Sequence, residues 1–261
     1  MPRISLQPDT LDEATIGFAP APLENPVFIN SVPKSGTHLL RNILRMFVPV
    51  EQQYHADFIQ WPNLFDNLAA FDPAQPRLSW GHLLFSDASA IETGRCKRIV
   101  LVRDPYDWVL ARARFMVSEQ FSGNMDRLKS GALTAPDLLN LMIFGIYGKA
   151  PTMAEQYQFN AVGWLHTGAL LVRYEELVRH ANALDTGEAE AYFSELLGFC
   201  EIAVPGNWQE RVATGADRKQ SGTARENLNL EGIAIPDELP EGQKQLVDFA
   251  APGLRAILGY C

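Results

Sequence analysis

The chain has 261 residues, 47% hydrophobic and 20% charged, the composition of a globular protein large enough to bury a core without staples. Its 22 Lys and Arg against 31 Asp and Glu leave a formal net charge of −9. That balance argues against a sequence-independent grip on nucleic acid and against polybasic attachment to anionic lipid, both of which need a basic face. It leaves room for one basic pocket that takes a small anion.

Residues 1–25 carry Pro20 and Pro22 with little periodicity and read as an irregular lead-in, with 26–261 as a single domain. PVFINSV then reads as a short buried strand, broken at Pro33-Lys34-Ser35-Gly36. From Thr37 the period changes, and Leu39, Leu40, Ile43, Leu44 and Phe47 fall on one helical face. Residues 49–77, with Trp61, Pro62, Pro73 and Pro76, read as irregular cover. A short strand around Leu78–Trp80 leads into Gly81-His82, and RIVLVR, ending at Arg103, is the clearest buried strand. Asp104-Pro105 suits a helix N-cap and first position, and that helix is expected to run towards Phe121.

Residues 122–168 read as mainly helical with a break near Gly148–Pro151, and 122–160 as the place to look for a cover over a ligand. ALLVRY is another buried strand, with a helix starting at Glu175. Asp185 and Glu188 resemble a capping box for a helix through Leu197. A last helix is expected from about Glu241, interrupted at Pro252 and ending near Gly259. Cys96, Cys200 and Cys261 are far apart and have neither metal-ligand nor disulfide spacing, as for idle thiols in a reducing compartment. No apolar run follows Arg3, and Leu138–Tyr147 is far below the ~18 residues of a membrane span. A cytoplasmic protein without membrane insertion is the expectation. Its oligomeric state is not legible.

Aliphatic strands alternating with helices predict an α/β domain of three layers around a central parallel sheet. Ligands of such sheets bind beyond the carboxyl ends of the strands. Here those ends carry the Lys34 loop, His82, Arg103 and Tyr174. VPKSGTH has the means to hold an anion: a Lys charge, Ser and Thr hydroxyls, a Gly for close backbone approach, and the N–H groups opening a helix. The plain alternative is a strand–helix turn with a surface Lys. It is not a Walker A loop, because Lys34 precedes Gly36. Asp104 imitates a magnesium-holding Asp, which keeps an ATP-dependent small-molecule kinase as an alternative. A non-catalytic nucleotide-binding protein is another.

P-K-S-G-T directly after a strand resembles the 5′-phosphosulfate loop of the sulfotransferases that use 3′-phosphoadenosine 5′-phosphosulfate (PAPS). LVRDPYDWVLARARF resembles their second signature, a strand ending in Arg followed by Asp/Asn-Pro and a helix. DRKQSGTARENL is similar to their late basic-Gly segment, VRYEEL to their tyrosine-bearing strand end, and the terminal ILGY to their usual chain end. The resemblance spans roughly residue 26 to the C-terminus.

It implies a P-loop-like phosphosulfate-binding loop and PAPS as donor co-substrate, with no metal. The acceptor would be a hydroxyl, in preference to an amine, of a small molecule, lipid or sugar. Lys34 would stabilise the leaving oxygen, and Ser35, Gly36, Thr37 and His38 would hold the 5′-phosphate. Arg103 would bind the 3′-phosphate together with Arg218 and Lys219, with Ser221 and Gly222 bringing backbone donors. Tyr174 would line the adenine side, and His82, in SWGHLLFS, would be the general base, with His55 as the alternative.

Two family positions differ. Ala111 stands where a 3′-phosphate-binding Ser is common, with Arg112 or Arg114 as candidate replacements, and Leu39 stands where an adenine-stacking Trp is common. Trp61, Phe65, Phe85, Phe115, Phe121, Phe144 and Tyr147 are candidate linings of an apolar acceptor site, or core.

Overall fold

The computed structural model describes residues 3–4, 9–123, 125–130, 133–220 and 233–260. In chain order the elements are β1 (Arg3–Ile4), α1 (Leu11–Phe18), β2 (Val27–Ser31), α2 (Thr37–Arg45), β3 (Ile59–Gln60), β4 (Leu78–His82), α3 (Asp87–Glu92), β5 (Lys97–Val102) and α4 (Pro105–Met116). There follow β6 (Phe121–Ser122), α5 (Ala135–Phe144), α6 (Met153–Asn160), β7 (Leu170–Arg173), α7 (Tyr174–Ala181), α8 (Gly187–Phe199), α9 (Trp208–Ala216), α10 (Glu241–Ala250) and α11 (Leu254–Ile257). Five strands form one parallel sheet in the order β3-β4-β2-β5-β7, and β1 pairs antiparallel with β6.

The sheet is aliphatic because both of its faces are covered. Successive residues point to opposite faces. Val27, Ile29, Ile99 and Leu101 enter one core with Leu40, Ile43 and Leu44 of α2 and Phe193 and Leu197 of α8. Phe28, Val100 and Val102 enter the other with Trp108 of α4, Leu138 and Met142 of α5 and Tyr157 of α6. Full burial of each such side chain contributes roughly 1.5–3 kcal/mol before conformational entropy is subtracted.

Several expectations need correction. Residues 1–25 are not wholly irregular: α1 buries Leu11 and Thr15, and Asp9 and Asp12 pair with Arg45 of α2 at 2.8 and 2.6 Å. The helix after Arg103 ends at Met116, and the chain then enters β6. The helix through Leu197 is capped by Thr186, whose side chain accepts from the Ala189 N–H, so Asp185 does not open it. Among the described residues no helix is long and apolar enough to cross a membrane. Cys96 and Cys200 are buried free thiols, and burial pushes each up to about 12, which makes them poor nucleophiles.

The strand order reverses at β2, with β4 on one side and β5 on the other. That reversal opens a crevice at the carboxyl ends. The C-terminal helices close one flank of it. Arg255 of α11 forms a paired contact with the Asp104 carboxylate at 3.0 and 2.9 Å. The Tyr260 hydroxyl donates to Glu175, and the other oxygen of Glu175 accepts from the Asp104 N–H.

Candidate functional site at the carboxyl ends of the strands

β2 ends at Ser31, and the chain turns through Pro33–Gly36 into α2. Lys34 has φ +71 and Gly36 φ +97. Left-handed backbone at a Lys costs about 1–3 kcal/mol, and strain of this kind concentrates at ligand-binding turns. The turn is held by the Ser35 N–H donating to the Val32 carbonyl at 3.1 Å and by the Trp108 indole donating to the Pro33 carbonyl. α2 begins with no side-chain cap, unlike α3, α4, α5, α6 and α8. Its first N–H groups and the positive end of its dipole therefore remain available to an anion.

Around this turn lie polar groups the protein leaves unsatisfied. Ser35 Oγ is buried without a hydrogen-bond partner, and so is Arg103 Nε. The Arg103 guanidinium lies 4.6 Å from the Tyr174 ring centroid, and its carbonyl accepts from the Tyr157 hydroxyl at 2.7 Å. The Tyr174 ring also presses on Gly36 so closely that a Cβ there would overlap its Cδ2 and Cε2. One aromatic ring thus joins the Lys34 loop to Arg103. The Lys34 ammonium sits 3.0 Å from the Phe115 ring centroid, and burial lowers it to about 7. Burial, with Arg41 and then Lys34 nearby, lowers His38 to about 3.

His82 ends β4 two strands from Arg103. Its Nδ1 is 3.0 Å from the Ser31 carbonyl oxygen and 3.0 Å from Ser31 Oγ. A carbonyl only accepts, so Nδ1 carries the hydrogen and Nε2 keeps its lone pair. Burial lowers His82 to about 3, with the Ser31 hydrogen bond opposing it, so the ring is neutral near pH 7. Ser31 Oγ is also 2.7 Å from Thr37 Oγ1, which links this imidazole to the first residue of α2.

Beside His82 is a cavity of about 190 Å³ lined by Pro33, Gln60, Trp61, Pro62, His82, Leu84, Gln156 and Asn160. Gln60 stands opposite His82 in the β3–β4 register. The close approach of these strands depends on Gly81, where a Cβ would overlap the Ile59 carbonyl. Asn30 ties the cavity wall together: its Nδ2 donates to the carbonyls of Leu83 and Asn160, each at 3.1 Å, and its Oδ1 accepts from the Leu83 N–H at 2.8 Å.

Of the residues singled out in the sequence, Lys34, Ser35, Gly36, Thr37, His38, His82, Arg103 and Tyr174 meet at this crevice. Arg218 and Lys219 are exposed on a turn after α9, and Gln220 anchors that turn against Asn42 of α2. Ser221 and Gly222 lie outside the described residues. Arg112 is not a phosphate ligand here. Its guanidinium donates to the carbonyls of Met142 and Pro151, holding α5 and the α5–α6 turn. Arg114 likewise reaches the Pro236 carbonyl and Asp237.

Asp104 caps α4 by accepting from the Tyr106 N–H and pairs with Arg255, so its carboxylate is occupied and does not imitate a magnesium ligand. His55 contacts Asp12 at 3.7 Å and the Trp80 ring, away from the cavity. Of the aromatic candidates, Trp61 lines the cavity and Phe115 underlies Lys34. Phe121 is buried and Phe85 half-buried in the core, whereas Phe65, Phe144 and Tyr147 are exposed. Ser31, Asn30, Trp108, Gln60, Gln156 and Asn160 were not singled out, since each is a common polar or aromatic residue inside an ordinary element and only the fold brings them together.

No protein-family model matches this chain, and no curated protein matches it by sequence. Among solved structures, a crystal structure of the mouse sulfotransferase SULT7A1 complexed with PAP is similar, with a TM-score of 0.50 and 19% identity. The match covers 91% of this chain and 78% of that one. The two share a fold, a central parallel sheet with flanking helices.

Proposed function

We propose that this chain transfers a sulfuryl group from PAPS to the hydroxyl of a small acceptor. The observation that carries this reading is the Lys34–Gly36 turn, joined through the Tyr174 ring to Arg103, with buried, unpartnered donors on Ser35 and Arg103. Buried polar groups without partners are costly, and anionic oxygens supply the missing acceptors. A nucleotide with phosphates at both ends fits a site whose cationic groups come from two strand ends. The fold shared with a PAP-bound sulfotransferase supports the same reading.

Bound PAPS would supply an activated sulfuryl group, and the protein's task would be positioning and charge neutralisation. Ser35, Gly36, Thr37 and His38 hold the 5′-phosphate through hydroxyls and the open N–H groups of α2. Arg103 takes the 3′-phosphate with its guanidinium, and Arg218 and Lys219 add positive charge for that end. Tyr174 lines the nucleotide. Lys34 faces the oxygen that receives the electron pair of the broken S–O bond. His82 takes the acceptor's hydroxyl proton at Nε2 as the acceptor oxygen bonds to sulfur.

Proton transfer to a positioned base is worth about 10²–10⁴-fold, so His82→Ala is expected to lose roughly that much turnover and keep its affinity for PAP. Transfer of labelled sulfur from PAPS to a panel of hydroxyl and amine acceptors tests the assignment. Labelled product with the parent and its loss in His82→Ala support it. Chelator-sensitive ATP consumption in place of PAPS turnover would overturn it in favour of a kinase, and PAP binding without turnover would favour a non-catalytic protein.

A further inference from the structure

Resting on the sulfotransferase reading, we propose that the cavity beside His82 takes a neutral, ring-shaped polyol, a sugar or cyclitol unit, and that the Asn160 carboxamide selects it. Asn160 is 1% exposed, and both Oδ1 and Nδ2 lack hydrogen-bond partners, although its backbone carbonyl is engaged by Asn30. A buried carboxamide with neither end satisfied is rare. It lines the same cavity as His82, one helical turn after Gln156, with Gln60 opposite His82 on the neighbouring strand.

Among the described residues the lining carries no Asp, Glu, Lys or Arg. A charged acceptor would lose its water there without gaining a partner. Carboxamides offer a donor and an acceptor each, which matches hydroxyl groups that need both. The remaining wall is Trp61, Pro33, Pro62 and Leu84, apolar surfaces suited to the C–H face of a saturated ring. At about 190 Å³ the cavity is smaller than the ≈ 300–1,000 Å³ of drug-sized sites, which fits one ring. Trp61 is 39% exposed, so substituents on that ring have a way out to solvent.

The reacting hydroxyl forms its bond to sulfur and gives its proton to His82 Nε2, while the bridging S–O bond of PAPS breaks and PAP leaves with the electron pair. The neighbouring hydroxyls of the ring reach Asn160 and Gln156. A phenol or simple alcohol has only the reacting hydroxyl and would leave Asn160 unsatisfied.

The test is PAP release from PAPS by the full chain with methyl glucoside, myo-inositol and phenol as acceptors, with PAP affinity measured in parallel by calorimetry. The expected result is a higher kcat/KM for at least one polyol than for phenol. Asn160→Leu, which keeps the volume, is expected to lower that polyol value roughly 10–100-fold and to lower the polyol-to-phenol ratio with it, with PAP affinity unchanged. Gln156→Leu, at a less buried position, provides the same comparison should Asn160→Leu fail to fold. Turnover of phenol with neither polyol used, or a polyol-to-phenol ratio unmoved in folded variants, would overturn the inference. If the parent binds PAP but uses none of the three, the polyol assignment falls and the donor reading stands. If the parent does not bind PAP, the donor reading falls and takes this inference with it.

Discussion

Lys34 and Arg103 differ in what surrounds them, and the difference suits them to separate tasks in the proposed transfer. Lys34 is a single ammonium on a strained turn over Phe115, suited to charge that develops during reaction. Arg103 presents a buried, unsatisfied Nε beside Tyr174, suited to a charge already present on the ligand. Lys34→Ala is therefore expected to lower kcat at least tenfold with a smaller change in PAP affinity, and Arg103→Ala to weaken PAP binding roughly 10–100-fold. Steady-state kinetics beside calorimetry check both, and equal PAP affinity in Arg103→Ala and the parent contradicts the second.

The Lys34 charge also makes binding pH-dependent. Burial holds this group down to about 7 in the free chain, and an anion placed against it raises it. Between the two values the complex holds more protons than the free protein. PAP binding should thus draw a proton from the buffer above about pH 7, and affinity should fall as pH rises through that window. Calorimetry in buffers of different ionisation enthalpy reads the uptake, and proton release on binding would contradict it.

Among the elements, β4 and its neighbours decide where His82 and the cavity beside it lie. Gly81 lets the β3 backbone approach β4, and a Cβ there would overlap the Ile59 carbonyl, a backbone atom that cannot swing away. Gly81→Ala is expected to destabilise the fold by about 1–3 kcal/mol and to raise the acceptor KM more than the PAP Kd, because Gln60 and His82 are paired at that spot. Thermal denaturation and steady-state kinetics measure this, and an unchanged Tm contradicts it.

The same element shows how far sequence carries. β2, β5 and β7 are runs of aliphatic residues bounded by polar ones, and the period changes at Thr37, so these strands and the start of α2 were legible; α2 ends at Arg45, so Phe47, expected on its face, lies beyond it. β3 has two residues and gains its identity only from pairing with β4. α1 hides because Ile16 is exposed and its anchoring comes from carboxylates that meet Arg45, distant in sequence. The Lys34–Gly36 turn was legible because it is contiguous. The cavity beside His82 was not, because its lining comes from four separated segments and most of its polar members are ordinary amides. Arg112 misled because a helical arginine beside a motif looks available, and only the fold reveals the two carbonyls it serves.

For the molecule as a whole, a formal charge of −9 is compatible with the proposed polyanion site because the sheet gathers cations from distant positions. Lys34 follows β2 and Arg103 follows β5, and the reversal of strand order at β2 sets them around one crevice. The C-terminal helices fix that arrangement through Arg255 on Asp104 and Tyr260 on Glu175. The central claim is that this crevice recognises a nucleotide with both a 5′-phosphate and a 3′-phosphate. Calorimetric titration of the intact chain with PAP and with adenosine 5′-phosphate tests it most directly. One PAP per chain at micromolar Kd is expected, with binding at least about tenfold weaker without the 3′-phosphate. No PAP binding at micromolar concentration, or equal affinity for the two nucleotides, would contradict it.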